Sequence, residues 1–150
     1  MTQENKDLLL KDLCARLPYG VKMNHIADDE HSPKTLIGVA KDMITLEGLG
    51  GYECVDVEDY KPYLFPLSSM TEEQYKYISY NFGRDGLDYI KYGTCDFHSS
   101  TLNIEDIYEL VDWLNENQFD YRGLIEKGLA IDATGLNIYK DDYGKEKGFI

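Results

Sequence analysis

From Asn103 to Glu116 the chain reads NIEDIYELVDWLNE, and its apolar residues repeat with the period of an α-helix. Ile104, Ile107, Leu110, Val111 and Leu114 fall on one face, and Glu105, Asp106, Glu109, Asp112 and Glu116 on the other. A segment patterned this way buries one side and gives the other to water, so the rest of the chain must supply a core for it. Asn103 reads as its N-cap, and Asp106 takes the place that Glu or Gln holds in a capping box. The early acids also suit the positive end of the helix dipole. Trp113, the one tryptophan, borders the apolar face and reads as a core anchor. Asn115, Asn117 and the aromatic pair around Asp120, Phe119 and Tyr121, end the helix. Asp120 is then placed to cap a short second helix over 121–127, stopped by Gly128. Leu129, Ala130 and Ile131 read as a short buried strand or extended segment.

This helix carries five carboxylates and no basic residue. Its ordinary reading is a solvated face, because like charges at helical spacing cost only a few tenths of a kcal/mol per pair. Its functional reading is an anionic surface for a basic partner. The net charge of −13 extends that argument to the whole chain. It opposes direct nucleic-acid binding and contact with anionic membrane, and permits DNA mimicry or binding to a basic protein.

At 150 residues, 43% of them hydrophobic, the chain reads as one α+β domain spanning 1–150. Thirteen tyrosines suit half-buried positions and binding surfaces, since each joins an apolar body to a polar tip. Cys14, Cys54 and Cys95 are too few and too far apart for a disulfide framework, so reduced thiols and a cytoplasmic setting are expected. The opening segment has charges inside its apolar pattern, unlike a signal peptide. No run approaches the ~18 apolar residues that span a bilayer.

In chain order, Thr2 caps a helix to about residue 17, with Leu10, Leu13, Cys14 and Leu17 inward. Short alternating segments over 21–57 predict a small bent antiparallel sheet, SH3-like or OB-like. The glycines at 48, 50 and 51 read as a hairpin turn rather than a phosphate loop. Residues 58–70 contain Pro62 and Pro66, which argue against a regular element, so this segment is expected to lie along the core as a strap. The motifs SMTE and TEEQ, opened by Ser69 and Thr71, mark a helix from Glu72 to about Phe82 with Tyr75, Ile78 and Phe82 inward. Tyr77 and Tyr80 are left as surface aromatics. Residues 83–100 read as irregular, with one short strand at LDYIKY. Residues 71–135 are mostly helical, and 136–150 form a fraying tail.

The motifs KPYLFPLSSMTEEQ and FDYRGLIEKGLAIDA, with the opening KDLLLKDLCARLPYGVK, carry a resemblance. The chain resembles short proteins encoded by phages and prophages of gut Bacteroidales. The resemblance covers both ends and the strap, while residues 24–51 match only in kind. It brings no activity and no catalytic residue. It implies a phage-related setting inside a bacterial cell.

No Walker loop, G-x-G-x-x-G, G-x-S-x-G or H-E-x-x-H is present, and no catalytic residue is assigned. Cys95 and His98 make half a zinc site at best, so no metal or cofactor is expected. Asp28, Asp29 and Glu30, and the pair Asp141 and Asp142, are adjacent acids of the kind found in solvated loops. Arg122, beside Tyr121, reads first as an internal salt bridge. Its sharper reading is an anion clamp with an aromatic platform for a nucleotide. The resulting expectation is a non-enzymatic accessory protein that binds a basic host protein in counter-defence or host takeover. Glu105, Glu109, Asp112 and Glu116 would make the contact, with Tyr77, Tyr80, Tyr121 and Arg122 as further binding candidates. The alternatives are a sponge for a nucleotide signal, a small hydrolase built on paired carboxylates, and a virion or structural accessory protein.

Overall fold

The computed structural model of the chain describes residues 1–92 and 103–139. The hydroxyl of Thr2 accepts from the Asn5 amide at 3.1 Å and opens α1, Gln3–Arg16. Its buried face is Leu9, Asp12, Leu13 and Arg16. Of the residues expected inward, Leu13 is buried, Leu10 and Leu17 are half-buried, and Cys14 is exposed. The face is turned because Asp12 and Arg16 neutralise each other. A compensated polar pair can take core positions that hydropathy alone would refuse.

β1 (Lys22–His25), β2 (Lys34–Ala40), β3 (Met43–Gly48) and β4 (Gly51–Asp56) form an antiparallel meander. Leu36, Ile44 and Leu46 pack with Leu9 and Leu13 of α1 in the largest core cluster. The sheet continues through β5 (Tyr60–Pro66), in the order β4-β3-β2-β1-β5-β6, with β7 also against β5. The two last strands are short, β6 at Phe119–Asp120 and β7 at Ile131–Asp132, and both run parallel to β5.

β5 is where the expected strap lies. It does run along the core, but as an interior strand rather than an irregular segment. The Ile26 amide donates to the Asp59 carbonyl at 2.9 Å, and Met23 lies opposite Pro62 in the same ladder. Antiparallel pairs alternate between bonded and non-bonded, so Pro62 occupies a position whose nitrogen does not face β1. On its other side β7 pairs from Tyr63 onward. The proline therefore removes no ladder bond, and Tyr63 and Leu64 are fully buried beside it.

Thr71 starts α2, Glu72–Tyr92, with a complete capping box. Its hydroxyl accepts from the Gln74 amide at 3.2 Å, while the Gln74 side chain accepts from the Thr71 amide at 2.8 Å. Ser69 instead donates its hydroxyl to the Pro66 carbonyl. Ile78 and Phe82 are buried as expected, and Tyr75 is half-buried. Gly83 breaks the helix at φ 66°, ψ −162°. The chain then resumes as helix, so LDYIKY is helical and not a strand. Leu87 and Ile90, three apart, join the second core cluster there.

α3, Ile104–Glu116, begins at Asn103 with both bonds of the capping box in place, at 2.9 Å and 3.0 Å. Leu110, Trp113, Leu114 and Asn115 are buried, while Ile104 lies 67% exposed at the first turn. Trp113 stacks between Tyr77 and Phe119, with centroid distances of 5.3 Å and 5.7 Å. No helix forms over 121–127. Asp120 still caps the segment, accepting from the Leu124 and Ile125 amides at 2.9 Å each, but the backbone turns repeatedly and closes with Leu129 donating to Leu124. At the end of the described chain Tyr139 is buried, donating to the Tyr63 carbonyl at 2.7 Å and accepting from the Lys22 amide at 2.8 Å. This part of the expected tail is therefore core, and residues 140–150 lie outside the described residues. No helix among the described residues is long and apolar enough to cross a membrane.

Candidate functional site

The four outer acids of α3 stand where the helical period puts them. Glu105, Glu109, Asp112 and Glu116 are all exposed, at spacings of four, three and four along one helix stripe. None of them is in an ion pair among the described residues. Tyr108 lies among them, 66% exposed, three residues after Glu105 and four before Asp112. Tyr108 is not among the residues expected at this face, although its helical offsets to those acids place it there. Tyr19 stands close to the far end of the stripe. Burial first, and then the carboxylates of Asp112 and Glu116, push its phenol above its ordinary value. The face is an anionic ridge with an aromatic set into it, and no described cation pairs with it.

Tyr77 and Tyr80 separate. Tyr80 is 90% exposed on α2, whereas Tyr77 stacks on Trp113 in the α2–α3 seam. Three helical positions set two side chains about 60° apart around the axis. That angle lets the indole cover Tyr77 while Tyr80 meets water.

Arg122 and Tyr121 engage the interior rather than that ridge. Arg122 Nε lies 3.2 Å from Asp12 Oδ1, so the internal pair read from the sequence is present. It is a charge contact and not an aligned hydrogen bond, since that Nε has no hydrogen-bond acceptor. Asp12 is shared. Arg16 Nε and Nη2 donate to its two carboxylate oxygens at 2.8 Å and 3.2 Å, with both side chains fully buried. The two guanidinium carbons lie over the Tyr121 ring at 5.4 Å and 5.1 Å from its centroid. The Tyr121 hydroxyl donates to the Asn115 side chain at 2.8 Å. The platform and clamp offered to a nucleotide are thus engaged with each other and with Asp12. The signal for this cluster was the Asp12–Arg16 spacing of four in α1, which the sequence expectations do not use.

The remaining candidates divide plainly. Asp28 folds its own loop, accepting from the Glu30 and Ser32 amides at 2.9 Å and 3.1 Å, and those bonds hold its carboxyl below its ordinary value. Cys95, His98, Asp141 and Asp142 lie outside the described residues. Among the described residues no group of three or more His, Cys, Asp or Glu side chains is placed to hold a metal ion. A cleft of about 140 Å³ lies between Lys34 and the hairpin at 48–53. Lys34 pairs with Glu53 at its rim.

Comparison with protein-family models, with curated proteins and with solved structures returned no match.

Proposed function

We propose that this chain is a non-enzymatic binding protein that engages a basic protein through the outer face of α3. One observation carries the reading: Glu105, Glu109, Asp112 and Glu116 are exposed in one stripe, without ion-pair partners among the described residues, around an exposed Tyr108. Carboxylates attract a basic surface over distance and set its register, while a half-rigid aromatic supplies contact area at the centre. The resemblance of KPYLFPLSSMTEEQ and FDYRGLIEKGLAIDA to phage and prophage proteins supports a partner from the bacterial host cytoplasm, in host takeover or counter-defence.

The experiment is capture from host lysate by the wild-type chain and by a variant carrying Glu105→Lys, Glu109→Lys, Asp112→Lys and Glu116→Lys. The expected result is a basic partner held by the wild type, weakened by salt, and lost by the variant while its thermal midpoint stays near that of the wild type. Equal capture of the same partner by both proteins would remove the acidic face from the account.

A further inference from the structure

Among the described residues β4 is the outer strand of the sheet, with a strand on one side only. The phase of its ladder is fixed at both ends. Gly48 pairs with Gly51 across a two-residue turn, and the Val57 amide donates to the Asp42 carbonyl at 3.0 Å. Antiparallel pairs alternate, so Gly51, Glu53 and Val55 direct their backbone groups to β3. The N–H and C=O groups of Tyr52, Cys54 and Asp56 point away from the sheet, and no described strand pairs with them.

Edges of this kind are usually blunted by proline, charged side chains, a bulge or a covering element. Gly51–Asp56 contains no proline and its register with β3 is unbroken, while its two charges, Glu53 and Asp56, are both acidic and turn away like acidic edges rather than basic strands. The bulge lies two strands away, on β2 at Leu36–Gly38. The edge is therefore competent to accept a strand.

Charge says which strand fits. From Asp42 to Asp59 the chain has six acids and no lysine or arginine. Lys34 offsets Glu53, and Lys6 offsets Asp42 and Glu58. Glu47, Asp56 and Asp59 have no ion pair among the described residues. The 140 Å³ cleft opens beside the first residues of the strand, walled by Leu49 and Tyr52, both largely exposed, and by the paired side chains of Lys34 and Glu53. Added strands draw affinity from main-chain bonds and specificity from such side-chain pockets.

We propose that the β4 edge binds an extended basic segment of a partner protein as an added strand, with one bulky apolar side chain of that segment in the cleft. A second copy of this chain is the poorer occupant, because it brings the same acidic edge and another net −13. This surface is separate from the α3 ridge, and its test does not depend on that reading.

The probe is an acetylated octapeptide of alternating lysine and leucine, added to the full chain and followed by residue-resolved amide hydrogen exchange. The Tyr52, Cys54 and Asp56 amides should slow by about tenfold or more, with Glu53 and Val55 little changed. Cys54→Pro removes one outward N–H and no bond to β3, so it should fold and lose the effect at Tyr52 and Asp56. Should that variant fail to fold, the same peptide N-methylated at alternate residues is offered to the wild type and should not protect. The α3 charge-reversed variant should bind the octapeptide at this edge as the wild type does. Absence of slowing at the three amides overturns the proposal, as does equal protection by the N-methylated peptide. Protection that rises with protein concentration and needs no peptide overturns it in favour of a second copy.

Discussion

The Nη2 of Arg16 donates to the carbonyl oxygen of Phe119 at 2.6 Å, across 103 residues of chain. The same guanidinium holds both oxygens of Asp12. The end of α1 is thereby fastened to β6, the strand that follows α3 directly. Trp113 packs against Phe119 from α3 itself. The acidic ridge is thus the outer side of a helix anchored to the body of the protein from behind.

Asp12 is the shared counter-ion of two guanidiniums, so its removal strands Arg16 in a fully buried site. Asp12→Ala should cost about 3–5 kcal/mol. Replacing Asp12 by Leu together with Arg16 by Met should cost less, because apolar isosteres can substitute for a buried pair. Urea unfolding of the three proteins gives the comparison. A single alanine variant as stable as the wild type would show that the pair is not bearing on the fold.

Trp113→Ala should lower stability by about 3–5 kcal/mol, since a 6% exposed indole leaves a cavity between Tyr77 and Phe119. Tyr80→Ala, at 90% exposure, should change it by no more than about 0.5 kcal/mol. Thermal midpoints of the two variants should therefore diverge widely, and similar midpoints would contradict the packing described for the α2–α3 seam.

Gly83 sits at φ 66°, ψ −162° with open space around the position of an added Cβ. Gly83→Ala should then cost about 1–3 kcal/mol through backbone conformation alone. Calorimetry reads this cost. An unchanged midpoint would mean that the helix runs through without the break.

Burial pushes the Tyr63 phenol up to about 12 from 10.0, and pushes the Tyr139 phenol up as well. The folded chain keeps these protons at a pH where the unfolded chain has released them. Their stabilisation is full below about pH 10 and falls as the pH climbs towards about 12. Denaturation at increasing alkaline pH should show this decline, and Tyr63→Phe should lessen it while the Tyr139 share remains. A stability that holds constant through that window would place the phenols in water.

Much of the fold was legible where a local rule acts alone. The caps at Thr2, Thr71 and Asn103, the hairpin at 48–51 and the amphipathic pattern of α3 each depend on residues within a few positions. The misreadings share a different cause, which is long-range pairing. Pro62 is compatible with a strand only because of its phase against Met23. Cys14 lost its expected place because Asp12 and Arg16 found compensation at Phe119 and Arg122, far along the chain. Tyr139 looked like tail, yet its hydroxyl satisfies backbone groups at Lys22 and Tyr63. For the site, the acidic stripe followed from period alone. The inward engagement of Tyr121 and Arg122 required knowing that α1 packs beside them.

Carboxylate footprinting by carbodiimide labelling reads whether the α3 acids meet a basic partner. The captured complex and the free chain are labelled and read by mass spectrometry. Glu105, Glu109, Asp112 and Glu116 should lose label in the complex, while the exposed Glu72 and Glu73 on α2 keep theirs. Full labelling of the four α3 acids in the complex would contradict it.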